Sequence, residues 1–138
     1  MEMKWEQEKA KKELERILLS FGGRFVRITM RIMLFLKIYN RKTVETDSFK
    51  TMKNRYGNSF SVQEEKAEDQ YAMVISKCCY NDFFIRNKKP ELTSIFCAWD
   101  SLWSEEINRN RSCGIRFERP STLGIDQKDC RFEFYFDN

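Results

Sequence analysis

Two runs near the end of the chain alternate with a period of two, and they restrict the fold more than anything else in the sequence. In the first, Cys113, Ile115 and Phe117 face one way while Gly114, Arg116 and Glu118 face the other. In the second, Cys130, Phe132, Phe134 and Phe136 stand opposite Arg131, Glu133 and Tyr135. Alternation of this kind marks a strand with one buried face. A connection of about ten residues, carrying Pro120 and Gly124, favours an antiparallel return over a crossover. Two further segments join them: Phe60 and Val62 alternate with polar neighbours, and Tyr71, Met73 and Ile75 alternate with Ala72, Val74 and Ser76 across a charged turn. The sequence therefore predicts an α+β fold with an antiparallel sheet of about four strands, near 59–63, 70–77, 112–118 and 129–136.

Helices from the N-terminal half and from 81–108 cover this sheet. Over 4–20, Ala10, Leu14, Ile17, Leu18 and Phe21 recur at helical spacing, and Gly22–Gly23 stops the run. A second helix is expected from Gly23 or Arg24 to about Tyr39. It has a stripe of Arg24, Arg27 and Arg31, read as a solvated face, and a wide apolar arc that would suit contacts on several sides or a homodimer surface. Residues 40–58 are polar, with Phe49, Met52 and Tyr56 spaced for one short helical segment. From Glu91 a helical pattern runs through Leu92, Ile95, Phe96, Trp99, Leu102, Trp103 and Ile107. Cys97 and Asp100, three apart within it, share a side.

At 138 residues the chain has the size of one domain, taken as 1–138, and needs no metal or disulfide for size alone. Its formal charge of +4 is spread among interspersed acids, so no basic face for nucleic acid stands out. The apolar run Ile28–Tyr39 is interrupted by Arg31 and Lys37 and falls short of a membrane span of about 20 residues. The opening is charged rather than secretory, and five cysteines make an odd number, so reduced thiols in the cytoplasm are expected. No membrane partner and no nucleic acid is expected; the partner is a small-molecule substrate, with a homodimer through 24–39.

Histidine is absent, which removes the usual triads and histidine zinc sites. What remains for chemistry is sulfur, carboxylate, arginine and hydroxyl. Cys78 closes one strand, Cys130 opens another, and Cys97 with Asp100 comes from a helix, so the set can meet at one end of a sheet. Two mechanisms fit. A thiolate attacks an electrophilic carbon while Asp100 handles protons. Alternatively, Cys78, Cys97, Asp100 and Cys130 hold one soft divalent metal that activates water. Arg119 could supply a positive field or bind a carboxylate, and the Thr122 hydroxyl stands in the turn beside it.

The spacing of Cys78-x-Tyr80, Pro90-Glu91-Leu92, Cys97-x-x-Asp100, Phe117-x-Arg119-x-x-Thr122-Leu123 and Cys130-x-Phe132 resembles the L-2-amino-thiazoline-4-carboxylic acid hydrolase family. The resemblance covers roughly Tyr71 to Phe136. It implies hydrolysis of a cyclic, amidine-like thiazoline: water adds to the carbon between nitrogen and sulfur, and the ring opens to a carbamoyl-cysteine. Cys78, Cys97, Asp100, Arg119, Thr122 and Cys130 match the family's recurrent polar positions. This chain departs from the family pattern with Arg131 after the last cysteine, Pro120 in place of a small polar residue and Asp126 in place of glycine. The rival readings are a non-catalytic small-molecule or metal-sensing module and a structural homodimer.

Overall fold

The computed structural model describes residues 2–125 and 128–137. Helix α1 (Glu2–Ser20) ends where expected, at Gly22, whose φ of 73° lies in the left-handed region that glycine tolerates. Helix α2 (Gly23–Phe35) follows at once. It stops earlier than its apolar run: Leu36 leaves the helix and Lys37 takes a positive φ of 54°.

The polar stretch after it is not a short segment but the full helix α3 (Arg41–Tyr56). Its start is fixed by a reciprocal cap. Asn40 Oδ1 accepts from the Thr43 N–H at 3.2 Å, and the Asn40 N–H donates to Thr43 Oγ1 at 3.0 Å.

Strands β1 (Phe60–Lys66) and β2 (Gln70–Cys78) form the expected hairpin. Helix α4 (Cys79–Arg86) follows directly, with Cys78 at its N-cap position and no side chain capping it. The predicted helix over 91–108 is divided into α5 (Thr93–Trp99) and α6 (Ser101–Arg109), with Asp100 between them. Strands β3 (Ile115–Glu118) and β4 (Cys130–Phe136) close the chain. The sheet is antiparallel throughout in the order β1-β2-β4-β3, so the last strand lies beside β2 at its centre. The α+β fold, with helices against a four-stranded antiparallel sheet, is as the alternation predicted.

Position in the sheet explains the burial. Central strand β4 buries Cys130, Phe132, Phe134 and Phe136, whereas edge strand β1 leaves Gln63 to Lys66 exposed. Trp103 of α6 packs edge-on against Phe117, with ring centroids 4.8 Å apart, and stacks on Phe134 at 6.4 Å. Ile107 and Val44 are fully enclosed in the same core.

The arginine stripe of α2 is a solvated face only in part: Arg24 is exposed, whereas Arg27 and Arg31 also pair with α6. Arg31 Nε donates to Glu106 Oε2 at 2.7 Å, Arg27 Nη1 to Glu106 Oε1 at 3.2 Å, and Arg27 Nη2 to Glu105 Oε2 at 2.9 Å. A carboxylate as enclosed as Glu106, with 3% of its surface exposed, requires such partners.

The expected homodimer through an apolar helix over 24–39 is overturned. No helix of the described residues is long and apolar enough to cross a membrane. The continuous apolar cylinder over 24–39 does not form, because α2 ends at Phe35. Of its apolar side chains, Met30 and Leu34 reach the core, Phe25, Ile28 and Ile32 lie at the surface, and the polar stripe is bound to α6. Helix α1, expected to pack across the sheet, lies instead on α5 and α2.

Candidate active site

A cavity of about 360 Å³ opens between α1, α3, α5 and one end of the sheet. Cys78 reaches it from the end of β2, Cys130 from the start of β4, and Cys97 and Asp100 from α5 and the break after it. Arg119, just past β3, completes the set. Five of the six residues singled out from the sequence therefore line one cavity.

Asp100 holds its place because the helix bends there without unravelling. Its N–H donates to the Cys97 carbonyl at 3.3 Å, and its own carbonyl accepts from the Ser104 N–H at 3.2 Å. Both carboxylate oxygens are engaged. Arg119 Nη1 donates to Oδ2 at 3.0 Å, and Trp103 Nε1 donates to Oδ1 at 3.3 Å. The same Nη1 donates to the Cys97 carbonyl at 3.0 Å. Burial pushes the Asp100 carboxyl above the usual aspartate range, although Arg119 and Trp103 pull the other way.

Thr122, the sixth residue, sits behind the thiols. Its Oγ1 lies 3.5 Å from Cys97 Sγ and 3.5 Å from Cys130 Sγ, and it accepts from the Gly124 N–H at 3.3 Å. The Leu123 N–H donates to Cys130 Sγ at 3.1 Å. Burial pushes the Cys97 thiol up, against the pull of Thr122 and Arg119. Burial raises the Cys78 thiol as well, against the backbone N–H groups of Asn81 and Tyr80. Both sulfurs thus stay protonated at neutral pH, which is unfavourable for a resting thiolate.

The geometry lends the metal-held alternative no support. Among the described residues no group of three or more cysteine, aspartate or glutamate side chains is arranged to hold a metal ion. The Asp100 oxygens are committed to Arg119 and Trp103 instead.

The family resemblance now acquires its full extent. The family model described as L-2-amino-thiazoline-4-carboxylic acid hydrolase matches residues 1–134. The chain belongs to this family. Membership reaches well beyond residues 71–136, where the motifs lie, and takes in the N-terminal helices that enclose the cavity. Of the departures from the family pattern, Arg131 points away from the site: it pairs with Glu65 Oε2 at 2.6 Å and Glu133 Oε1 at 2.9 Å. Asp126 lies outside the described residues. No curated protein matches the chain. Among solved structures, the trafficking protein particle complex subunit 3 from Naegleria fowleri, covalently bound to palmitic acid, aligns with a TM-score of 0.42 and 13% identity. That alignment covers 94% of this chain and 81% of the other, and so loose a likeness carries nothing across.

The sequence reading missed the other half of the wall. Leu18 from α1, Phe21 from the turn after it, Met52 and Tyr56 from α3, and Phe60 from β1 all face the cavity. Their periodic spacing, helical for Leu18, Phe21, Met52 and Tyr56 and alternating for Phe60, signals burial without saying whether the neighbour is core or empty space. Trp103 was placed on the helix but not recognised as the partner of Asp100, although the two are three residues apart.

Proposed function

We propose that this family member is a hydrolase that opens a small heterocyclic, amidine-type ring, with Asp100 moving the protons and residues 1–138 acting as one domain. The observation that carries the reading is the Asp100 carboxylate, fixed through both oxygens on the wall of an otherwise largely apolar cavity. An acid raised above its usual range in such a place is suited to general base and then general acid work. Water adds its oxygen to the amidine carbon between nitrogen and sulfur while the Asp100 carboxylate takes a water proton. The carbon–sulfur bond of the tetrahedral adduct then breaks, and Asp100 returns the proton to the departing sulfur. The product is a urea bearing a free thiol.

Arg119 orients Asp100 in this scheme, and Thr122 holds the Cys97 and Cys130 sulfurs in the wall. Direct attack by water is favoured over attack by a thiolate, because burial keeps Cys97 and Cys78 protonated. Five free cysteines suit a reducing, cytoplasmic setting.

The test is turnover of 2-amino-thiazoline compounds, followed by NMR detection of the ring-opened thiol. Asp100→Asn should lose about 10²–10⁴-fold in rate, the usual contribution of a general acid–base group. Cys97→Ser should keep most of it. Loss of activity in Cys97→Ser with retention in Asp100→Asn would reverse the assignment.

A further inference from the structure

Acids are interspersed along most of the chain, but none falls between Glu15 and Glu45, and α2 occupies the middle of that interval. Its charged residues are all lysine or arginine. Arg16, Arg27, Arg31 and Arg41 are engaged by acids that lie outside the interval. Arg24, Lys37 and Lys42 are exposed and make no ion pair among the described residues. Arg24 stands at the start of α2 beside Phe25, and Lys37 stands just past its end.

The same helix is apolar on two opposite sides. One side buries Gly23, Met30 and Leu34 against the body of the protein. The other carries Phe25, Ile28, Ile32 and Phe35, at steps of three and four that keep them in one row. Phe25 is 73% exposed and Phe35 82%, and the two isoleucines are about half exposed. None of the four lines the cavity. Single exposed apolar side chains are ordinary, but a row along a whole helix marks an interaction surface.

The charges decide what covers this row. A second copy, packed about a two-fold axis, would bring Arg24 and Lys37 against another set of the same cations, and like charges across a contact are disfavoured. A bilayer with anionic headgroups satisfies both features. Apolar side chains enter the boundary between headgroups and acyl chains, while the cations meet the headgroup anions. We propose that α2 docks the protein on the surface of an anionic bilayer, with Phe25, Ile28, Ile32 and Phe35 inserted and Arg24 and Lys37 at the headgroups. The helix lies in the surface plane and does not cross, and no helix of the described residues is long and apolar enough to do so. This row is separate from the cavity, so its docking is independent of the hydrolase reading.

Sedimentation with vesicles tests the docking, using phosphatidylcholine alone or phosphatidylcholine mixed with phosphatidylserine. The wild-type chain should bind the mixed vesicles at least about tenfold more tightly than the neutral ones, because each cation at an anionic surface contributes about fivefold. High salt should reduce that preference. Arg24→Gln/Lys37→Gln should remove most of it. Phe25→Ser/Phe35→Ser should weaken binding to the mixed vesicles by at least about tenfold, the effect of burying one such side chain. Both phenylalanines are exposed, so the melting temperature of that variant should hold and separate lost docking from lost folding. Equal binding to both vesicles, binding to neither, or binding that survives the loss of both phenylalanines would overturn the proposal. So would a dimer in vesicle-free solution that Phe25→Ser/Phe35→Ser separates, since a second copy would then cover the row.

Discussion

Arg119 donates to Asp100 at 3.0 Å and, through the same nitrogen, to the carbonyl of Cys97 at 3.0 Å. One guanidinium from the chain just beyond β3 thereby joins the end of α5 to the residue that breaks it from α6. This bond also opposes the upward push of burial on the Asp100 carboxyl.

Removing the guanidinium should therefore appear in the pH profile. If Asp100 is the base, activity requires its ionised form and is lost as pH falls through its folded pKa, which lies above the usual aspartate range. Arg119→Gln removes the nearest positive charge, so the acid limb of kcat/KM should move to higher pH. The measurement is the kcat/KM profile with an uncharged substrate. An unmoved limb would show that Asp100 does not control the reaction.

Gly124 makes a second testable contact. A Cβ there would lie 3.0 Å from Cys97 Sγ and 3.4 Å from the Ser94 nitrogen. Gly124→Ala should overpack the site and cost about 1–3 kcal/mol, the usual range for an inserted methyl. Thermal melting of the single and double variants checks the cause. In Gly124→Ala/Cys97→Ala the sulfur is gone, and part of the loss should be recovered through coupling of the two positions.

Glu106 ties α2 to α6 through Arg27 and Arg31, and these contacts hold its carboxyl below the ordinary glutamate range. A lowered folded pKa gives stability that is present above the unfolded value and lost as pH falls through the folded one. Glu106→Gln should be destabilised at pH 7 by about 2 kcal/mol, less than the loss of a wholly buried pair because the arginines reach solvent. On acidification the wild type should lose that advantage, so the two melting temperatures converge as the pH falls below the ordinary glutamate range. A constant gap between them would show that packing, not charge, makes the difference.

These predictions rest on features of unequal legibility. The sheet was readable because Phe132, Phe134 and Phe136 alternate with Arg131, Glu133 and Tyr135, and period two has no helical counterpart. The early stop of α2 was not, because Leu36 and Ile38 prolong the apolar pattern into chain that has left the helix. Helix α3 is longer than its apolar spacing indicates, because its polar composition masks the reciprocal cap at Asn40–Thr43. The pairing of Arg27 and Arg31 with Glu106 crosses more than 70 residues, and local spacing carries no trace of it. The candidate site follows the same division. Cys97 and Asp100 were placed together by helical spacing, whereas the aromatic wall from Phe21, Tyr56 and Phe60 arises only from tertiary packing.

The state of Cys97 decides between the two ring-opening routes and can be measured directly. Burial raises its thiol, so less thiolate is present at neutral pH than on a free cysteine. Alkylation requires the thiolate. At pH 7.5, iodoacetamide should label Cys97 at least about tenfold more slowly than it labels glutathione, with peptide mapping to separate the five cysteines. The rate should continue to climb with pH beyond the range in which glutathione levels off, because the raised pKa displaces the titration upward. Exposure alone would slow the reaction at every pH without moving that midpoint, so the profile distinguishes a raised pKa from a shielded sulfur. Labelling faster than glutathione at pH 7.5 would show a resting thiolate beside Thr122 and Arg119, and would return the nucleophile's role to Cys97.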